Sequence, residues 1–123
     1  MSDSDALLLR YRVAPDADAT IVQVTGEIDL STSNTFEDAV SHALSGLTSV
    51  VVVDLQYVTF MGSVGLSALV KANAEAARAQ RFLRIADGTA AAHRAIEISG
   101  LDQVLSVYPT VDDAIAAGAP RTE

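Results

Sequence analysis

The chain has 123 residues and a formal net charge of −8. Hydrophobic residues make up 50% of the chain, but aromatic residues make up only 5% of it. This length corresponds to one domain of ordinary size, and the negative charge argues against binding to nucleic-acid phosphates or anionic lipid. The absence of cysteine excludes disulfides, thiolate metal sites and cysteine nucleophiles, and no apolar run approaches the roughly 20 residues that span a bilayer. We therefore expect a cytoplasmic protein whose partner is neither nucleic acid nor membrane.

The first third of the chain predicts a β-hairpin followed by a helix. Residues 7–13 and 20–28 alternate as strands do, and Pro-Asp-Ala-Asp at residues 15–18 is a turn signal between them. In residues 35–44 apolar side chains recur at helical spacing, with Ser, Thr and Asn upstream to cap the helix and Gly46 to end it.

The remainder alternates between strands and helices. Residues 49–55 contain four consecutive valines, which resist helix and favour a buried central strand. A short loop then leads to a predicted helix. The later elements are a helix at residues 64–80, a strand at 82–86, a helix at 89–98, a strand at 104–107 and a helix at 111–117.

This order of elements, β-β-α-β-α-β-α-β-α, predicts a single α/β domain. Alternating strands and helices call for a mixed, mostly parallel β-sheet, to which the N-terminal β-hairpin adds an antiparallel pair and about four α-helices supply the crossovers. We expect the domain to occupy residues 7–117, between flexible tails at residues 1–6 and 118–123.

The segment between the valine strand and the next helix contains the most informative serine. Ser63 falls where the N-cap of that helix belongs, beside amides that lack partners and at the positive end of the helix dipole. A hydroxyl there can cap the helix, and a phosphate there would meet the same amides. Gly65 leaves room for another backbone or a phosphoryl donor to approach. Position alone leaves capping and phosphorylation both open.

Three stretches of the chain resemble one known family. Phe-Met-Gly-Ser-Val-Gly-Leu at residues 60–66 is similar to the Asp/Gly-Ser-x-Gly-Leu signature of STAS-domain anti-sigma factor antagonists. Gly-Glu-Ile-Asp at 26–29 resembles the Gly-Glu-Leu-Asp segment of that family, and residues 99–102 followed by 107–110 resemble its Gly-Leu-Asp and last-strand segment. The matches occur in the same order and cover roughly residues 7–117, so the resemblance implies one STAS-like domain.

The resemblance implies a role for each matched residue. Ser63 corresponds to the serine that is phosphorylated by an anti-sigma factor serine kinase of the histidine-kinase-like ATPase fold. Asp29 corresponds to an acidic residue that orients this serine or contacts the kinase. The implied partner-binding residues are Asp29, Thr32, Met61, Gly62, Ser63, Val64, Gly65 and Leu66.

The implied protein is a bacterial transcription regulator that works by partner switching and is not an enzyme. Its unphosphorylated form would bind the kinase and free a sigma factor, and a PP2C-type phosphatase would reset the cycle. No cofactor of its own and no metal are implied.

Two departures from the family pattern leave an alternative open. Gly62 stands where several members have Asp, which removes one orienting carboxylate, and Val64 stands where several have a second Ser. Ser63 is thus the only hydroxyl in the turn from Gly62 to Leu66. The alternative function is a STAS-type ligand-binding or scaffold module without a phosphorylation cycle.

Other reactive residues favour structural interpretations. Asp54 could be compared with the phospho-acceptor of a receiver domain, but the single lysine, Lys71, is placed in mid-helix and the required acidic pair is missing. We interpret Asp54 as a strand-end residue that accepts loop N–H bonds. A Ser-His-Asp hydrolase built from Ser63, His93 and Asp29 would lack the Gly-x-Ser-x-Gly elbow.

The histidines and arginines predict no further site. His42 and His93 lie on different predicted helices, and we assign neither of them an i, i+4 histidine or carboxylate partner of the kind metal sites use. Arg78, Arg81 and Arg84 are interpreted as a solvated face.

Overall fold

The computed structural model describes residues 8–16 and 18–117 and contains a five-stranded sheet in the order β1-β2-β3-β4-β5. The strands are β1 (Leu9–Asp16), β2 (Ala19–Ile28), β3 (Val50–Met61), β4 (Phe82–Ala86) and β5 (Ser106–Tyr108). β1 and β2 form an antiparallel hairpin, and the other neighbouring strands pair in parallel. The predicted mixed sheet is confirmed. The expected tails at 1–6 and 118–123 lie outside the described residues.

Four α-helices connect or follow these strands within the described ranges. They are α1 (Ser33–Leu44), α2 (Ser63–Arg78), α3 (Ala90–Ser99) and α4 (Val111–Ala116), and short 3-10 helices lie at Leu30–Thr32 and Leu101–Gln103. The predicted order of elements is confirmed. None of the helices described combines the length and the apolar character needed to cross a bilayer.

The two faces of the sheet are covered unequally. Successive side chains of a strand point to opposite faces, so Val51 and Val53 face the main core, whereas Val50 and Val52 face a smaller cluster. The main core is formed with α1, α2 and α3, and the smaller one with Ala114 of α4. Both faces of the valine run are therefore buried, which explains why it is continuously apolar.

β3 is longer than its sequence predicts. It continues through residues 56–61, where a loop was expected, although its pairing with β4 stops at Asp54 and Ala86. Beyond that point β3 pairs with the ten-residue β2, through two register shifts. The prediction of a loop was wrong because the long β2 supplies a pairing partner that local polarity does not reveal.

Gly26 ends the pairing of the first hairpin and precedes the Asp29 segment. Its φ of +124° lies in the region that disfavours side chains, and a Cβ there would lie 2.0 Å from the Leu8 carbonyl oxygen. The hairpin turn is also tighter than predicted, because Pro15 and Asp16 belong to β1. Proline is tolerated there because β1 is an edge strand.

The predicted solvated arginine face is wrong for two of its three members. Arg84 is 2% exposed, and its Nη1 donates to the Ala114 carbonyl oxygen at 2.9 Å, which ties α4 to the sheet. Arg81 donates from Nε to the Thr48 carbonyl oxygen at 2.8 Å and from Nη1 to that of Leu44. Only Arg78 is exposed as expected.

Candidate functional site

The exposed hydroxyl of Ser63 stands at the first residue of α2. Gly62, in extended conformation with φ −88° and ψ 178°, occupies the N-cap, so the prediction of Ser63 as N-cap was wrong by one residue. Gly62 has no side chain to cap the helix, and its carbonyl oxygen accepts from the Gly65 amide at 3.0 Å. The Ser63 side chain and the Ser63 and Val64 amides have no hydrogen-bond partner among the described residues. An anion at Ser63 would therefore meet free amides at the positive end of a helix.

A backbone hydrogen bond joins the two predicted motifs. The Gly62 amide donates to the Ile28 carbonyl oxygen at 2.8 Å, and Ile28 pairs with Met61 across the sheet. The Asp29 segment thus lies directly beside the start of α2.

Asp29 caps the 3-10 helix at Leu30–Thr32. Its Oδ1 accepts from the amide and hydroxyl of Ser31 at 2.9 and 2.7 Å and from the Thr32 amide at 3.2 Å. Thr32 Oγ1 in return accepts from the Asp29 amide at 3.0 Å. The hydroxyl bond from Ser31 is the main cause that lowers the pKa of Asp29, so its carboxyl stays ionised. Within the described chain, Asp29 makes no hydrogen bond to Ser63.

Burial divides the eight expected partner-binding residues into two sets. Thr32, Met61 and Gly65 are buried, which does not fit direct contact with a partner. These three buried residues pack beneath the accessible residues of the set. The accessible set consists of Asp29, Gly62, Ser63, Val64 and Leu66.

Gly65 was expected to leave room for another backbone or a phosphoryl donor, and in the structure it lies in a close packing contact. A Cβ at this position would lie 2.7 Å from Ile28 Cγ2 and 3.1 Å from Met61 Cε. These distances show that α2 packs so closely against Ile28 and Met61 that a side chain at residue 65 would force a neighbour to shift.

A groove of about 460 Å³ runs along α2 from Ser63 and reaches the end of α3. Leu101 lines its far side, and Ile98, 77% exposed, lies close by in the sequence. Sequence reasoning missed this groove, although serine at 63 and 67 and apolar residues at 66 and 70 repeat at one-turn spacing. The groove is lined by Ser63, Leu66, Ser67, Val70, Lys71, Ser99 and Leu101.

Two aromatic side chains are exposed in the second half of β3. Tyr57 and Phe60 are each 52% exposed. Their partners in β2 are residues 25 and 27, which share a face with Ala19 of the cluster against α4. A Cβ built at Gly62 would lie 3.4 Å from the Phe60 ring. The prediction that β3 ends near residue 55 concealed this pair.

His93 has carboxylate partners, contrary to the expectation from sequence. Its Nδ1 lies 3.0 Å from Oδ2 of the buried Asp87, and its Nε2 lies 3.9 Å from Glu97, four residues along α3. The hydrogen bond with Asp87 is the main cause that raises the pKa of His93. His42 is exposed and meets Tyr11 edge-on. In the described ranges no group of three or more His, Cys, Asp or Glu could hold a metal.

Asp54 lies inside β3 rather than at a strand end. It is 2% exposed and accepts from both the backbone amide and the side-chain Nε2 of Gln56 at 3.0 Å. The expectation that it accepts N–H bonds is confirmed, but the donor belongs to its own strand.

Comparisons with known proteins identify the family. The family model of the STAS domain matches residues 10–114. Two proteins of Mycobacterium tuberculosis are similar to the chain. The anti-sigma-F factor antagonist RsfB is 30% identical over 115 residues, covering 94% of this chain and 92% of that protein. The anti-sigma-F factor antagonist RsfA is 31% identical over 101 residues, covering 80% and 79%.

A solved structure agrees with these relatives. The crystal structure of an anti-sigma factor antagonist from Mycobacterium paratuberculosis matches with a TM-score of 0.82 and 31% identity, and the match covers 89% of this chain and 92% of that one. That protein and the two relatives are all named as anti-sigma factor antagonists. The chain therefore belongs to the STAS-domain family of anti-sigma factor antagonists.

Proposed function

We propose that this protein is a cytoplasmic bacterial anti-sigma factor antagonist that is inactivated by phosphorylation of Ser63. In its unphosphorylated form it binds an anti-sigma factor serine kinase of the histidine-kinase-like ATPase fold and so frees a sigma factor. The observation that carries the proposal is the exposed Ser63 hydroxyl, which, like the neighbouring amides of Ser63 and Val64, has no hydrogen-bond partner in the described part of the chain.

The chemistry requires one nucleophile from this chain. Ser63 Oγ attacks the γ-phosphorus of ATP held with Mg²⁺ by the kinase, a new O–P bond forms, and the bond to the β-phosphate oxygen breaks to release ADP. The hydroxyl proton passes to a base of the kinase. The free amides and the dipole of α2 favour the negative charge that the seryl phosphate brings. This chain contributes no cofactor and is a substrate rather than an enzyme.

The docking surface combines the accessible motif residues with the groove along α2. Asp29 offers Oδ2 to a donor on the kinase, because the hydrogen bonds that its carboxylate accepts within the described chain all go to Oδ1. Leu66 and Leu101 offer apolar contact beside Ser63. A negatively charged chain with an apolar groove fits a kinase surface that is basic around an apolar centre.

Phosphorylation would end this complex through charge. It adds about −1.5 to −2 charge and three acceptor oxygens at pH 7, in an interface that also holds the ionised Asp29. Each tenfold loss of affinity corresponds to about 1.4 kcal/mol. A penalty of about 3–4 kcal/mol would therefore weaken binding of this protein to the kinase enough for the kinase to bind the sigma factor instead. A PP2C-type phosphatase would restore the hydroxyl, and no change of fold is needed.

The test measures phosphorylation and binding with candidate anti-sigma factor kinases. With ATP, intact mass should rise by roughly 80 Da, one phosphate, whereas Ser63→Ala should gain no mass and still bind. Ser63→Glu should weaken kinase binding at least about tenfold, since a charge enters the interface. Ser41→Ala, which removes an exposed serine of α1, is the matched control. Stoichiometric phosphorylation of Ser63→Ala would show that the site is assigned wrongly.

One observation favours the second candidate function, a ligand-binding or scaffold module. Gly62 leaves the N-cap of α2 without a side chain that could orient Ser63. A scaffold would bind its partners equally well as wild type and as Ser63→Glu, and it would gain no mass with any kinase and ATP.

A further inference from the structure

Two serines lie one turn apart on the exposed side of α2. Ser63 and Ser67 both line the groove, and Lys71 follows one turn later. Both serine side chains are exposed, and neither makes a hydrogen bond to any described residue. Ser67 is therefore an uncommitted donor beside the proposed phosphorylation site.

The direction of helical side chains aims Ser67 towards Ser63. Cα–Cβ bonds tilt towards the N-terminus of a helix, so a side chain covers the turn that precedes its own Cα. Residues four apart have Cβ atoms about 5–6 Å from each other. Because residues four apart are neighbours on a helix surface, a phosphoryl group on Ser63 Oγ that turns towards Ser67 comes within hydrogen-bond reach of the Ser67 hydroxyl.

Other groove residues offer no equivalent donor. Lys71 is eight residues from Ser63, about 12 Å along the helix axis, so it contributes charge at a distance rather than a hydrogen bond. Ser99 already donates from Oγ to the Ile96 carbonyl oxygen at 2.9 Å. Leu66, Val70 and Leu101 are apolar.

We propose that Ser67 is a positioning residue for the phosphorylated form of Ser63. Its hydroxyl donates to a phosphoryl oxygen and holds the phosphate over the start of the groove. The phosphate then opposes the partner in two ways, since it adds charge to the docking surface and also occupies the groove beside Leu66. This inference rests on the proposed function, because it assumes that Ser63 is phosphorylated.

The experiment places phosphoserine at position 63 during translation, so that no kinase is needed. The second pKa of the phosphate is measured by phosphorus-31 NMR over a pH titration. A hydrogen bond to the dianion favours it and lowers this pKa, so Ser67→Ala should raise the value by about 0.3–0.5 units. Ser67→Thr, which keeps the hydroxyl, should restore it.

Two controls separate positioning from structural effects. Ser41→Ala removes an exposed serine from the middle of α1 and should leave the phosphate pKa unchanged. Ser67→Ala should keep or slightly raise the thermal midpoint, because Ala is the better helix former. An unchanged phosphate pKa in Ser67→Ala, or an equal shift in Ser41→Ala, would overturn the inference.

The outcome is distinguishable from failure of the proposed function. If the NMR shift is found but kinase and ATP leave the Ser63 hydroxyl unmodified, the phosphorylation cycle fails and the geometry of the residue pair stands. If the kinase modifies Ser63 and the pKa is insensitive to Ser67, only the positioning role fails.

Discussion

Ser63 and Gly65 share the first turn of α2 but have opposite environments. Ser63 is exposed to solvent, whereas Gly65 is packed against Ile28 and Met61. The tight contact at Gly65 fixes how closely α2 approaches the sheet and hence where the Ser63 hydroxyl stands. Gly65, which was expected to leave room for an approaching group, therefore serves the close packing of α2 on the sheet.

This contact predicts the effect of Gly65→Ala. The added methyl group would lie 2.7 Å from Ile28 Cγ2, so α2 must shift or the core must deform. We expect a loss of about 1–3 kcal/mol in the free energy of unfolding, measured by urea denaturation, together with slower phosphorylation of Ser63. Ser41→Ala, which removes an exposed serine of α1, serves as control. If Gly65→Ala were as stable as wild type, close packing would not be the reason for this glycine.

At the scale of elements, the 3-10 helix after β2 depends on Asp29 in two separable ways. Asp29 caps this helix through Oδ1 and also carries a charge beside the docking surface. Asp29→Ala should lose about 1 kcal/mol of stability, since the cap is removed. Asp29→Asn should keep the cap and most of the stability but weaken kinase binding, because the charge is lost. Urea denaturation and a binding titration measure the two effects, and equal binding of Asp29→Asn and wild type would restrict Asp29 to its capping role.

A second contact between elements should respond to pH. His93 of α3 bonds Asp87 at the end of β4, and Glu97 and Asp102 also face it. The hydrogen bond with Asp87 is the main cause that raises the pKa of His93 above its ordinary value of 6.5 in the folded protein. The contact of His93 with Asp87 therefore stabilises the folded protein fully below pH 6.5. This contribution is lost as the pH rises through the higher folded-state pKa of His93.

The measurement compares unfolding of wild type with that of His93→Gln across this range. Wild type should have its largest relative stability on the acidic side, and the difference should shrink above the folded-state pKa. Asp87→Asn should remove most of this pH dependence. A difference that grows as the pH rises would contradict the assigned sign.

The whole molecule carries a net charge of −8, which bears on the rate at which it meets a partner. If the kinase presents a basic face, long-range attraction steers the encounter and is screened by salt, with a Debye length of about 8 Å at 0.15 M. The association rate should fall by about tenfold between low and high ionic strength, while the dissociation rate changes little. Stopped-flow binding at several salt concentrations measures both, and a salt-independent association rate would argue against a basic docking face.

The amino-acid sequence by itself determined the α/β class, the order of the elements and the junction at which Ser63 stands. Local periodicity and four consecutive valines are sufficient for this, because alternation and helical spacing report which side of each element is buried. The family motifs added the expectation that Asp29 lies near Ser63, and the bond between the Gly62 amide and the Ile28 carbonyl oxygen brings their segments together.

Only the tertiary structure decided how far β3 extends and which motif residues remain accessible. β3 persists to Met61 because β2 pairs along it, and Thr32 is buried because the 3-10 helix folds back beside that pair. The groove that brings Ser67 and Leu101 together and the bond between His93 and Asp87 join residues from different elements. Such contacts depend on how the helices pack on the sheet. A local sequence pattern contains no information about which residues of different elements this packing brings together.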